Sequence, residues 1–163
     1  MSAKLQSDYL RSIIFGVEDG LVSTTGAVVG ISVGSANPRL VVLAGLVIVA
    51  VEAVSMAAGE FVTEETIHEL EPGKHTDSLW RAAGMMFISY LAAGLIPVLP
   101  FLFLSLVGAA VTSIILAFIS LFLLGYFKAR ITRVRPVRSG LQILAIGGFA
   151  TLIGVAVGLF LKI

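Results

Sequence analysis

The sequence predicts an all-α integral membrane protein with five transmembrane helices, on three observations. First, 58% of its 163 residues are hydrophobic and 13% are charged, with a mean hydropathy of +1.04, whereas soluble domains carry roughly 25% charged residues. Too few polar side chains are present to cover a water-facing surface. Second, five apolar stretches approach the ~20 residues that a helix needs to cross the hydrocarbon layer. Third, the lysines and arginines flanking those stretches gather on one side of the predicted bundle.

The spans are expected at 12–34, 40–62, 81–100, 104–127 and 140–161, forming a single transmembrane domain over 1–163. Asn37-Pro38 breaks the chain between the first two spans. The run 83–127 has no charged residue, and as one helix it would reach roughly 65 Å, more than twice the hydrocarbon thickness. It must fold back, and Pro97 and Pro100 in LIPVLPF are expected to supply the break, since each lacks an N–H and disfavours helix at the preceding residue. An acidic linker is expected over 63–80. The polar opening residues, and the arrival of Glu18 and Asp19 soon after the first apolar run, do not match a cleaved signal segment.

Lys4, Arg11, Lys74, Arg81, Lys128, Arg130, Arg133, Arg135 and Arg138 fall on one side, against Arg39 and Lys162 on the other. Under the positive-inside rule the N-terminus is expected in the cytoplasm, with the acidic linker on the same side. The membrane is expected to be the plasma (inner) membrane in a prokaryote and a vacuolar-type membrane in a eukaryote.

Composition also excludes functions. There is no cysteine, so disulfides, zinc thiolates and cysteine nucleophiles are ruled out. A net charge of +1 does not fit a nucleic-acid binder, which needs a basic surplus along one face. An enzyme is not expected, because Ser23, Ser55 and the linker histidines His68 and His75 form no nucleophile–base arrangement.

The chemistry lies in the acidic residues. Glu18, Asp19, Glu52 and Glu60 fall in or at the edge of spans, where translocon scales put a central Asp at about +2.5 to +3.5 kcal/mol. No Lys or Arg lies deep in any span, which leaves cations or protons as the expected counter-charges. Glu52, Met56 and Glu60 are spaced four apart, and the spacing continues to Glu64 and His68. On one unbroken helix this set would wind over roughly 24 Å with a drift of about 40° per step, a path and not one coordination sphere. Asp19 should lie near the depth of Met56. Carboxylates suit hard or borderline divalent ions, while a thioether and an imidazole shift preference toward transition metals such as Fe²⁺. Duller readings compete: Glu60 as an interfacial anchor, Glu18 at the interface without a role, Met56 as packing, and the linker as a solvated charge run. Glu65-x-x-His68 is only half of a di-iron bundle signature. Asp19 with Glu52 is the stronger signal, since two carboxylates are rarely buried in a membrane for packing alone.

Glycines recur at four-residue spacing in the first span (Gly16, Gly20; Gly26, Gly30, Gly34) and the last (Gly154, Gly158). Such spacing lets membrane helices approach closely, within one subunit or between two.

The segments FGVEDGLVSTTGAVVGIS, AVEAVSMAAGEFV, AGLIPVLPF and SGLQILAIGGFATLIGVAVG resemble the vacuolar iron transporter family, in order and across all five spans. The resemblance implies a homodimer of five-helix subunits that exports Fe²⁺, with some selectivity for Mn²⁺, from the cytosol in exchange for H⁺. It places metal ligands on Asp19, Glu52 and Met56, with Glu60 at the cytoplasmic entrance. Iron-storing members insert a long Glu-rich helical domain after the second span, whereas here a short segment separates Phe61 from Trp80. Glu64, Glu65, His68, Glu69 and Glu71 would supply a reduced capture site. No permanently bound cofactor is expected; the partners are divalent metal, H⁺, lipid and a second copy of the chain. Two other functions remain open from the residues alone: a proton-coupled exporter of organic cations, which would favour an aromatic-lined cavity, and a non-transporting membrane assembly or metal sensor.

Overall fold

The computed structural model describes residues 3–70 and 79–161, with side chains described from Tyr9 onward. Six helices follow in order: α1 (Ala3–Gly34), α2 (Pro38–Leu70), α3 (Leu79–Val98), the single turn α4 (Pro100–Phe103), α5 (Leu106–Thr132) and α6 (Pro136–Phe160). Among the described residues there is no strand, and five helical segments are long and apolar enough to cross a membrane. Three helices begin with proline at their first position (Pro38, Pro100, Pro136), where its missing N–H costs nothing and its fixed φ suits the helix. Asn37 adds an oxygen that accepts from the backbone N–H of Arg39 at 3.1 Å, which satisfies one of the donors left over at the start of α2.

The reversal inside the long uncharged run differs from the sequence expectation. Helix α3 continues through Pro97 to Val98, and the chain turns at Leu104 and Ser105, which take extended backbone angles before α5 begins. Proline removes only its own N–H, and the ladder resumes at once with Leu99 N–H donating to Leu95 O at 3.1 Å. The buried Ser113 hydroxyl on α5 donates to the Pro97 carbonyl at 2.9 Å, tying α5 to α3 at that point. A second difference is that residues 63–70 continue α2 as helix instead of leaving it as a linker. The Phe61 and Trp80 rings, 4.8 Å apart, join the far end of α2 to the start of α3.

Helix α1 is the centre of the bundle, contacting α2, α3, α5 and α6. Its glycines explain why. A Cβ on Gly16 would come within 3.0 Å of the Met86 carbonyl, and one on Gly20 within 2.7 Å of the Tyr90 carbonyl, so the lower half of α1 lies directly on the α3 backbone. The upper half does the same on α6: a Cβ on Gly30 would collide with the Gly154 carbonyl, and one on Gly158 with the Gly30 carbonyl. Both α1 pairings are parallel, as five alternating passes require. These glycines of α1 therefore pack against α3 and α6 within the subunit. Helices α5 and α6 pair through Gly125 and Gly140, whose Cα would sit 2.7 Å from a Cβ on Gly125. This alternation gathers Arg11, Arg81 and the cations of 128–138 at one end of the bundle and leaves Arg39 at the other.

Candidate functional site

Two polar clusters lie along α2 on the side facing α1 and α3. The deeper one joins three helices. Tyr90 on α3, wholly buried, donates its phenolic hydrogen to the Glu52 carboxylate on α2. The same phenolic oxygen lies 2.6 Å from the Ser23 hydroxyl on α1, and Ser23 also reaches the Asp19 carbonyl at 2.7 Å. Glu52 and Glu18 both lie within electrostatic reach of Asp19. Among the described residues no Lys or Arg pairs with Asp19 or Glu52. The described residues thus bring two carboxylates within electrostatic reach of each other beside a buried phenol, with no Lys or Arg paired to either, an arrangement that is costly in a low-dielectric region unless a proton or an external cation completes it.

The shallower cluster is different in kind. Arg11, two turns before Asp19 on α1, donates to Glu64 and lies 3.5 Å from Glu60 on α2. Ser12 donates to Glu60 as well. The Glu60 and Glu64 side chains are 10% and 5% exposed, while that of Arg11 is 52% exposed. This corrects the expectation that Glu60 has only cations or protons for counter-charge, because the start of α1 brings a guanidinium to it. It also removes Glu64 from the water-facing set, since the residue is buried between the helices.

The remaining expected positions fall as follows. Met56 is half-buried on α2, one helical turn from Glu52 and one from Glu60. Glu65 and Glu69 are exposed and His68 is partly buried, while Glu71 lies outside the described residues. Among the described residues no three His, Cys, Asp or Glu side chains converge on a point that could hold a metal ion. Glu52, Met56, Glu60 and Glu64 follow one another along unbroken α2. Sequence reasoning missed Tyr90 and Arg11. A tyrosine in an apolar run carries no signal apart from its partner, and Arg11 resembled one more positive-inside charge.

A groove of about 490 Å³ runs between α1 and α6, lined by Val22, Ser23, Ala27, Ala150 and Ile153 among others. Its wall is apolar, and Ser23 connects it to the Tyr90 cluster.

Five helices long and apolar enough to cross a membrane, with the Glu52 carboxylate hydrogen-bonded between them, define a multi-pass membrane protein. Comparison with known proteins specifies it further: the model of the VIT family matches residues 10–74 and 63–159, and the chain belongs to that family. Curated relatives include "Vacuolar iron transporter 1" of Oryza sativa subsp. japonica, 29% identical over 88% of this chain and 82% of the relative. "Vacuolar iron transporter homolog 3" of Arabidopsis thaliana is 28% identical over 91% of this chain and 85% of the relative. "Vacuolar iron transporter homolog 2" of Arabidopsis thaliana is 26% identical over 89% of this chain and 80% of the relative. The rice alignment is 206 positions long although it covers 88% of this chain, so that relative carries tens of residues that this chain lacks. The homolog 2 alignment, at 157 positions, has no room for such an insertion. The two matched pieces of the family model overlap at 63–74.

Proposed function

We propose that this chain is a transporter of divalent metal, Fe²⁺ first and Mn²⁺ second, which moves the ion out of the cytosol in exchange for H⁺. The observation that carries the reading is the Ser23–Tyr90–Glu52 network, which lies within electrostatic reach of the Asp19 carboxylate and has no Lys or Arg of the described residues paired with either carboxylate. Metal binds the ionised carboxylates, and protonation from the far side releases it, so metal and H⁺ compete for the same groups. Met56, one turn below Glu52, offers a thioether that favours the softer ions. Glu60 and Glu64 form the cytoplasmic entrance, and Glu65, His68, Glu69 and Glu71 enrich cations near it.

The names of the relatives support iron as the cargo, and the one-sided distribution of Lys and Arg supports a cytoplasmic N-terminus. We assign the working unit as a homodimer, because the ligand string of one subunit leaves a bound ion incompletely enclosed. Export of an organic cation calls for an aromatic wall, and the lining of the α1–α6 groove contains no aromatic residue.

The test is flux of Fe²⁺, Mn²⁺, Co²⁺ and Zn²⁺ into proteoliposomes, with and without an opposing proton gradient. Fe²⁺ flux that rises with the gradient and drives proton counter-movement is expected. Metal binding without flux would assign the chain to the non-transporting class instead.

A further inference from the structure

We infer that Arg11 is the resident cation of the cytoplasmic entrance: its guanidinium occupies the Glu60–Glu64 carboxylates, and an incoming divalent ion must displace it. The inference rests on the transport reading above and adds a specificity-determining residue to it.

The geometry has three parts. The two carboxylates are almost fully withdrawn from water, at 10% and 5% exposure, so they require a counter-charge. Arg11 supplies it, donating to Glu64 and lying 3.5 Å from Glu60. Yet the Arg11 side chain is itself 52% exposed, so the guanidinium lies at the edge of the subunit and not between its helices. The carboxylates are buried and their partner has a way out.

Charge decides what can replace it. Two carboxylates and one guanidinium leave the cluster at a net −1, and a divalent ion in place of the guanidinium brings it to zero. A monovalent ion would leave the charge unchanged while giving up the charge-assisted hydrogen bond from Arg11 to Glu64. The exchange therefore favours divalent over monovalent cations, although neither carboxylate is selective alone. A guanidinium does not lose its proton in a protein, so Arg11 leaves by swinging toward water and not by neutralisation. Ser12 continues to donate to Glu60 during the swing and holds that carboxylate toward the opening. When metal passes inward the guanidinium returns, which closes the entrance electrostatically behind it.

The experiment measures initial Mn²⁺ flux against cytoplasmic-side Mn²⁺ in proteoliposomes for the native chain, Arg11→Gln and Arg11→Lys. Asp19→Asn runs in parallel, and thermal melting checks the fold of each. Arg11→Gln should lower the half-saturating Mn²⁺ concentration by about three- to tenfold, the range expected for losing one ion-pair competitor, with little change in maximal rate. Arg11→Lys, which keeps the charge on a more strongly hydrated ammonium, should fall between. Free guanidinium at low millimolar concentration should raise the half-saturating concentration of Arg11→Gln back toward the native value, while potassium at equal ionic strength does not. Should Arg11→Gln fail to fold, the guanidinium comparison is made on Arg11→Lys, with the same expected direction. An unchanged or raised half-saturating concentration, or guanidinium acting no differently from potassium, overturns the inference while Asp19-dependent flux leaves the transport reading standing. Absence of Mn²⁺ and Fe²⁺ flux in the native chain overturns both.

Discussion

Tyr90 and Glu52 are 38 residues apart in sequence and joined by a hydrogen bond inside the bundle, with the phenol of α3 donating to the carboxylate of α2. Because Tyr90 is fully buried and its oxygen also meets Ser23 of α1, this one side chain fixes the relative depth of three helices. The phenol thereby links the Glu52 carboxylate to Ser23 of α1, one helical turn after Asp19.

Tyr90→Phe tests that role. The ring keeps its packing while Glu52 loses its donor, which should cost about 1–3 kcal/mol of stability. Metal flux is expected to fall by about tenfold, the equivalent of ~1.4 kcal/mol at the site. Combining it with Glu52→Gln should cost less stability than the two changes summed, because the second removes the charge that the first left unpaired. Melting temperatures of the four proteins in one detergent check the cycle.

Among the acidic residues near the entrance, burial sorts the outcomes. Glu65→Gln and Glu69→Gln change exposed side chains and should alter flux at limiting metal by less than about twofold, as screened surface charges do. Glu64→Gln removes a buried partner of Arg11 and should weaken apparent metal affinity several-fold while lowering the melting temperature. Half-saturation curves for the three variants distinguish these outcomes.

The helix crossings make a sharper stability prediction. A side chain on Gly154 runs into the Gly26 carbonyl, so Gly154→Leu should destabilise the subunit by about 3 kcal/mol or more and abolish monodisperse protein. A Cβ on Gly59 meets nothing within 4 Å, and Gly59→Ala should leave stability within about 1 kcal/mol of native or raise it slightly. Size-exclusion profiles and melting curves read both.

These contrasts show what was legible in the sequence. The spans were readable because hydrophobic run length responds directly to bilayer thickness. The four-residue spacing of Glu52, Met56 and Glu60 placed them on one helix side because α2 is unbroken there. The reversal after α3 was misplaced, since a proline near a helix end looks like a terminator whether or not the next turn closes, and here it closes. Gly30 and Gly154 announced close packing without naming each other as partners. The pairing of Arg11 with Glu64, across 53 residues, depends on how α1 and α2 cross, and neither local periodicity nor composition encodes that angle.

Orientation has its own test. The cations of 128–138 share an end of the bundle with Arg11 and Arg81, and a cytoplasmic location is expected for that end. The sequence contains no cysteine, so a cysteine introduced by Arg135→Cys can be labelled without background. An impermeant maleimide on intact cells should leave it unmodified and should label it after permeabilisation. A cysteine replacing Arg39 should show the opposite pattern.

The central claim is that Asp19 and Glu52 form the transport site, and flux through Asp19→Asn and Glu52→Gln tests it most directly. Each substitution preserves side-chain size while removing the negative charge and the exchangeable proton that metal-for-H⁺ exchange requires. The desolvation cost of an unpaired carboxylate also disappears, so both variants should fold as well as the native protein. Proteoliposome Fe²⁺ and Mn²⁺ flux at two pH values, beside thermal melting of the same preparations, should show native-like melting with flux at background in both variants. Native-level metal flux in either variant, or loss of flux accounted for by unfolding, would contradict the assignment.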